Sequence, residues 1–252
     1  MAPVNIPMKR PHVYQSNMRG VLTDDGRFAP GVTSILKRGL PTPEALARWK
    51  YTNSDAAEIT ERAATRGMAL HAAVESWLHG EAADATHLTA ADIQAVDEFA
   101  TVFGNHNVLG VERDILVDDG DLLYSGTADH IFVPTTGLRC VTGEVIPAGA
   151  VVVGDLKTSK AVYESYHGQL AAYAYGLDAD YACVWHFTPS GVRLHWIDLD
   201  AGWRVFRAAY TLAHELPALE ARAQQTKTST PTGVDRAPGA ERTEHKEESQ
   251  CQ

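Results

Sequence analysis

Val151-Val-Val-Gly-Asp-Leu-Lys157 is a short apolar run, rich in β-branched residues, that ends on a carboxylate and an ammonium two positions apart. Pro147-Ala-Gly149 supplies a turn just before it. A run of this length and composition reads as a central strand buried on both faces. Side chains alternate along a strand, so Asp155 and Lys157 project to one face and Leu156 to the other, into the core. Charges at the end of a buried strand are expensive to desolvate, so the placement asks for a reason. One reason is a divalent cation bound by the carboxylate, with the lysine orienting or activating a water. Asp-x-Lys alone is a weak signal, because surface strands carry it by chance; the apolar run in front of it raises its weight.

Working outward, residues 162–177 return to helical spacing, and strands follow near 181–188 and 192–197 around Pro189-Ser-Gly191. A last helix is expected over 200–224. Upstream, residues 109–117 and 121–133 alternate as strands around the acidic turn Asp118-Asp-Gly-Asp121, and Leu138-Arg-Cys-Val141 suggests a short extra strand. Before these come helices. One enters at Pro30-Gly-Val-Thr-Ser-Ile-Leu36 with Thr33 or Ser34 able to cap it. A second covers 43–51, and a long third runs from Asn53-Ser-Asp55 to about Leu78, ended by His79-Gly80. A fourth covers 89–107, with Ile93, Val96, Phe99, Ala100 and Phe103 at helical spacing. Residues 1–30 read as an N-terminal extension of loops and short strands. From Thr226 onward there is almost no large apolar residue, so residues 226–252 read as a disordered tail. The fold class is α/β, a mixed central sheet flanked by helices, with one domain over residues 31–225.

The chain has 252 residues, 44% of them hydrophobic, enough for a core that needs no disulfide or structural metal. Cys140, Cys183 and Cys251 are far apart, with no Cys-x-x-Cys pair, which gives an iron–sulfur cluster or zinc site no support. No apolar run reaches the roughly 20 residues that span a bilayer, and the N-terminus has no signal-peptide pattern, so a cytoplasmic protein with no membrane partner is expected. The net charge of −10 at first argues against a nucleic-acid partner. Its distribution softens this: residues 1–66 hold ten Lys/Arg against six Asp/Glu, and residues 67–252 hold twelve against twenty-six. The N-terminal region could meet phosphates, and an acidic remainder suits a site that gathers divalent cations.

Three further groups surround the Asp155–Lys157 pair. In Ser125-Gly-Thr-Ala-Asp129-His-Ile-Phe-Val133, Asp129 interrupts an apolar strand just upstream. Two carboxylates converging from neighbouring strands make a hard-oxygen site suited to Mg²⁺ or Mn²⁺. In Arg66-Gly-Met-Ala-Leu-His71-Ala-Ala-Val-Glu75-Ser-Trp77, His71 and Glu75 share one helix face. In His167-Gly-Gln169-Leu-Ala-Ala-Tyr173, Gln169 and Tyr173 do the same on the helix that follows the Asp155 strand.

In this order the four groups resemble the PD-(D/E)xK nuclease superfamily, with the RecB-like and Cas4-like exonuclease branch, including phage-encoded members, the nearest likeness. The resemblance runs over about residues 31–187. It rests on Arg66-Gly67 through His71-x-x-x-Glu75, Gly126-Thr-x-Asp129, Gly154-Asp155-Leu-Lys157-Thr158 and Gln169-x-x-x-Tyr173. The opening Val32-Thr-Ser-Ile-Leu36 is similar to the corresponding segment of such proteins. The likeness implies a restriction-endonuclease-like core and a Mg²⁺- or Mn²⁺-dependent deoxyribonuclease acting in DNA processing or recombination. It implies His71, Asp129, Asp155 and the main-chain carbonyl of Leu156 as metal ligands, and Lys157 as the residue that positions or polarises the attacking water. Gln169 and Tyr173 would orient DNA and support the site, with Glu75 assisting from outside the ligand set. Cas4 proteins carry four cysteines for an iron–sulfur cluster, and this chain lacks them.

Two other classes stand beside this expectation. The chain could be a DNA-binding or assembly module that keeps the fold without turnover, or a hydrolase of another phosphate ester. DNA is the expected partner; a recombination or replication protein and an oligomer stay open. Among further residues, Glu112 lies on the strand before Asp129 and Lys160, Arg62 and Arg66 could meet phosphates, or Arg66 could pair with nearby acids. His130, Asp114 and the Asp118–Asp121 turn are expected at the surface, and Trp185, Trp196 and Trp203 in packing roles.

Overall fold

The computed structural model describes residues 10–228. The chain divides into two compact units, Met1–Glu215 and Leu216–Gln252, and every strand belongs to the first. Most of the residues expected as a tail, 229–252, lie outside the described residues. Three N-terminal strands, β1 (His12–Gln15), β2 (Met18–Leu22) and β3 (Phe28–Pro30), form an antiparallel sheet. Helices α1 (Val32–Gly39), α2 (Glu44–Thr52), α3 (Ala56–Leu78) and α4 (Ala90–Phe103) come next. Then come β4 (Asn107–Asp118), β5 (Leu123–Val133), the small pair β6 (Leu138–Arg139) and β7 (Val145–Ile146), and β8 (Val152–Lys157). The chain continues through α5 (Glu164–Leu177), β9 (Tyr181–Thr188), β10 (Gly191–Trp196) and α6 (Leu199–Thr228). Among the described residues no helix is long and apolar enough to cross a membrane.

The fold is α/β. A mixed five-stranded sheet runs in the order β10-β9-β8-β5-β4, parallel between β8 and β9 and antiparallel elsewhere. β8 sits at its centre because both of its faces are apolar. Val153 joins a cluster with Leu36, Leu170, Ala172 and Phe206 from α1, α5 and α6. Val152 and Leu156 join Leu70, Val74, Phe99 and Phe103 from α3 and α4 on the other face. Asp155 and Lys157 therefore lie on the α5 side and Leu156 points into the α3–α4 side. Residues 10–30 belong to the same compact unit as the main sheet. Ser125 on β5 donates its hydroxyl to the Ala29 carbonyl at 2.9 Å, and Gly31 bridges to Ser125.

Several local expectations change. The helix expected over 89–107 ends at Phe103, where the Gly104 amide closes the last turn and Asn107 already belongs to β4. Ile93 is 42% exposed while its neighbour Asp92 is buried, because the Asp92 carboxylate is consumed locally. It forms a capping box with Thr89 and accepts from Arg66 Nε at 2.9 Å. Neither Thr33 nor Ser34 caps α1: Gly31 is the N-cap, and the Ser34 hydroxyl instead accepts the Arg19 amide at 3.1 Å. His130 is not on the surface. It is fully buried against Phe99, Phe103 and Phe132.

Candidate active site

The site is built where the β5–β8 ladder stops. The two strands pair at His130↔Gly154, Ile131↔Val153 and Phe132↔Val152 and no further, whereas β8 stays paired with β9 through Lys157↔His186. Both polar groups of the Leu156 peptide thus lose a strand partner on the β5 side. Side chains take them: the Leu156 amide donates to Asp129 Oδ2 at 2.8 Å, and the Leu156 carbonyl lies 2.9 Å from His71 Nε2. A carbonyl oxygen only accepts, so the His71 proton sits on Nε2. His71 Nδ1 then faces Asp129 Oδ2 at 3.3 Å.

Two glycines permit this closeness. A Cβ on Gly154 would fall 2.1 Å from the His130 ring, and one on Gly126 would fall 2.5 Å from the Tyr173 ring. His130 therefore packs directly against Gly154 of the Asp155 strand, and the Tyr173 ring packs against Gly126 of β5.

On the α5 side, Asp155 is 1% exposed and forms an ion pair with Lys157. Gln169 Nε2 donates to Asp155 Oδ1 at 3.0 Å and to the Tyr173 hydroxyl at 3.3 Å, so one amide group ties α5 to β8. The Lys157 ammonium also stands 4.9 Å over the ring of Tyr166. Glu75 lies half-buried one helical turn from His71, and its carboxylate has no hydrogen-bond partner among the described residues. The structure joins His71, Asp129, Asp155, Leu156, Lys157, Gln169 and Tyr173 through one chain of contacts and leaves Glu75 at its edge. Tyr166 is the residue sequence reasoning missed. Its signal was its spacing, three before Gln169 and seven before Tyr173, which places all three on one helix face.

The electrostatics are unbalanced. Burial, and then the nearby Asp155 charge, push the Asp129 carboxyl well above the usual carboxylate range, against the pull of Lys157. Burial holds His71 below its ordinary value and hence neutral, although Asp155 opposes it. For Lys157 the cost of burial is outweighed by Asp155 and Asp129, which keep the ammonium charged. Burial pushes the Tyr173 hydroxyl up, so it stays protonated. A neutral His71, protonated on Nε2, thus presents the Nδ1 lone pair to Asp129 Oδ2, the oxygen of a carboxyl whose protonated form burial favours.

Among the described residues no group of three or more His, Cys, Asp or Glu side chains is arranged to hold a metal ion as it stands. The donors are instead turned onto one another and onto the main chain. Their chemistry nonetheless fits a hard divalent cation: two carboxylates, a main-chain carbonyl and a neutral imidazole. The 3.3 Å separation of His71 Nδ1 and Asp129 Oδ2 is close to the roughly 3 Å between neighbouring ligands of an octahedral ion whose bonds are about 2.1 Å. Cys140 and Cys183 are buried free thiols in the apolar cluster on the α3–α4 side of the sheet, and Cys251 lies outside the described residues.

No family model matches the chain, and no curated protein matches it. Among solved structures, one described as the crystal structure of SSO0001 is similar over 73% of this chain and 75% of its own, at 18% identity and a TM-score of 0.39.

Proposed function

We propose that the chain is a metal-dependent DNA nuclease of exonuclease type that hydrolyses phosphodiester bonds. The observation that carries this reading is the meeting of Asp129 and Asp155 beside Lys157 and a neutral His71, a site short of positive charge. The α/β core with its mixed sheet is compatible with a restriction-endonuclease-like core. The basic balance of residues 1–66 suits a phosphate-bearing substrate.

Asp129, Asp155, the Leu156 carbonyl and His71 would hold Mg²⁺ or Mn²⁺. The bound ion would lower the pKa of a coordinated water and offset charge on the scissile phosphate. The protein's own groups set the geometry. Gln169 fixes Asp155 through Oδ1, which leaves the other oxygen to Lys157. Lys157, charged and braced by Tyr166, orients the attacking water and steadies the developing negative charge. Tyr173 holds Gln169 in register.

The test is digestion of end-labelled linear DNA with Mg²⁺ or Mn²⁺ by wild type, Asp155→Ala and Lys157→Ala. Wild type is expected to degrade the DNA and both variants to lose activity. Equal degradation by all three, or none by wild type, would sink the assignment. Running closed circular DNA alongside reads end dependence: a resistant circle fits an exonuclease.

A further inference from the structure

A cleft of about 440 Å³ opens from Asp129 and Tyr173 toward the N-terminal sheet. Its floor carries Glu112 and Asp114, and Asp114 accepts the Thr127 hydroxyl at 3.1 Å. Its mouth is of opposite character, lined by Arg10, His12 and Arg19. Arg10 is already engaged, with Asp24 at 2.8 Å and the Leu22 carbonyl at 3.2 Å. Arg19 differs. Its main chain is pinned on both sides, the amide on the Ser34 hydroxyl and the carbonyl on the Gly31 amide at 2.7 Å. Its side chain is exposed, and among the described residues its guanidinium has no partner. A cation is thus held out from a fixed backbone with no carboxylate paired to it among the described residues.

The register completes the surface. His12 pairs with Val21 and Tyr14 with Arg19, and residues directly opposite in an antiparallel pair share a face. His12, Tyr14 and Arg19 therefore lie on one face of the β1–β2 hairpin; His12 and Arg19 line the cleft, and Tyr14 stands beside them at its rim. Tyr14 is 76% exposed, an aromatic ring in water directly across the hairpin from Arg19. Proteins that hold single strands combine these two elements: cations along the backbone and aromatic rings under the bases. A cleft of this volume falls in the range of small-molecule pockets, on the order of 300–1,000 Å³, which takes a nucleotide or two of one strand and no duplex.

We propose that the cleft between the β1–β2 hairpin and the start of α1 receives an unpaired DNA strand, with Arg19 and His12 on its phosphates and Tyr14 stacked on a base. The strand then passes from a basic mouth to the acidic floor lined by Glu112, Asp114 and Asp129. This rests on the nuclease reading for what happens at the floor, but not for binding at the mouth.

The experiment is fluorescence anisotropy in EDTA, where hydrolysis is stopped, with the full chain and two probes: a labelled fifteen-residue oligothymidylate and a blunt duplex hairpin. Wild type, Arg19→Gln and Tyr14→Leu are compared, each with its thermal midpoint recorded; both side chains are exposed, so the variants are expected to fold. Tyr14→Leu should weaken oligothymidylate binding at least about fivefold, the lower end of what one stacked base contributes. Arg19→Gln should also weaken it and reduce the salt slope by about one phosphate contact. Duplex binding should not change. Unchanged oligothymidylate affinity in both variants, or an equal loss for oligothymidylate and duplex, would overturn the proposal. Digestion of linear DNA by wild type with Mg²⁺ is run in parallel. Digestion without the binding effect removes the cleft proposal alone, and the binding effect without digestion removes the nuclease reading alone.

Discussion

Asp92 and Asp155 are each 1% exposed, and each faces a cation, yet they do opposite things. Asp92 is saturated. One oxygen takes Arg66, the other takes the Thr89 amide at 3.0 Å and the Thr89 hydroxyl at 2.7 Å. Burial would push its carboxyl up, but Arg66 and Thr89 outweigh it and hold the carboxyl below its ordinary value. Asp155 shares its lysine with Asp129, whose carboxyl is pushed well up by burial and by Asp155 itself. A buried carboxylate is therefore no mark of a site by itself. The mark is a group of acids with fewer cations than the fold needs, because that deficit is what a divalent ion or a substrate proton relieves.

The sharpest way to break this comparison is to exchange the readouts. On the nuclease reading, Lys157→Ala should cut DNA hydrolysis per folded molecule by roughly a thousandfold, the scale expected when a preorganised charge is removed from a transition state; it also leaves the buried Asp155 without its cation, so the thermal midpoint should fall as well. A midpoint collapse with normal activity per folded molecule would put Lys157 in the structural class with Arg66. Asp92→Ala should lower the midpoint alone. Breaking a buried pair costs about 3–5 kcal/mol; Arg66 is one-third exposed and recovers hydration, so about 2–3 kcal/mol is expected. That corresponds to roughly 5–10 °C in the midpoint of a domain of this size, read by calorimetry, with hydrolysis per folded molecule retained.

His130 extends the comparison to a base. Burial lowers its pKa to about 3, so the folded state binds its proton far more weakly than the unfolded chain, where the imidazole titrates near 6.5. The contribution is whole above the unfolded value and is lost as pH falls below it, down to the folded value. Burial lowers His106 and His195 as well, in the same sense. Between pH 7 and pH 5, His130 alone should cost about 2 kcal/mol, and His130→Phe should flatten that slope in urea unfolding. An unchanged slope would mean that His130 is hydrated or paired in solution. The smallest effect expected is a gain. Asp129→Asn removes the carboxylate that the fold raises and should stabilise the protein by on the order of 1 kcal/mol, measured by urea unfolding, while activity is lost. A destabilised Asn variant would place Asp129 with Asp92.

The site was legible to the extent that its parts are local. Asp155 and Lys157 share a face by strand alternation, as His71 and Glu75 and as Gln169 and Tyr173 do by helical spacing. Tyr166 belongs to the same periodicity. His130 does not show its burial in the sequence, because that burial comes from Phe99 and Phe103, about thirty residues away, which no window around Asp129 contains. Asp92 is hidden in the same way by Arg66.

By itself, then, the sequence determined the strand that bears Asp155 and Lys157, the α/β order and which side chains share a face, because these follow from periods of two and 3.6 along a single segment. Tertiary structure alone decided that the β5–β8 ladder stops at His130↔Gly154. It also decided that Asp129 and His71 take the bonds freed at Leu156, and that Arg19, whose guanidinium has no partner among the described residues, lines the neighbouring cleft. Those outcomes depend on where separate elements end against each other and on the charge that remains there, and no single segment carries that information.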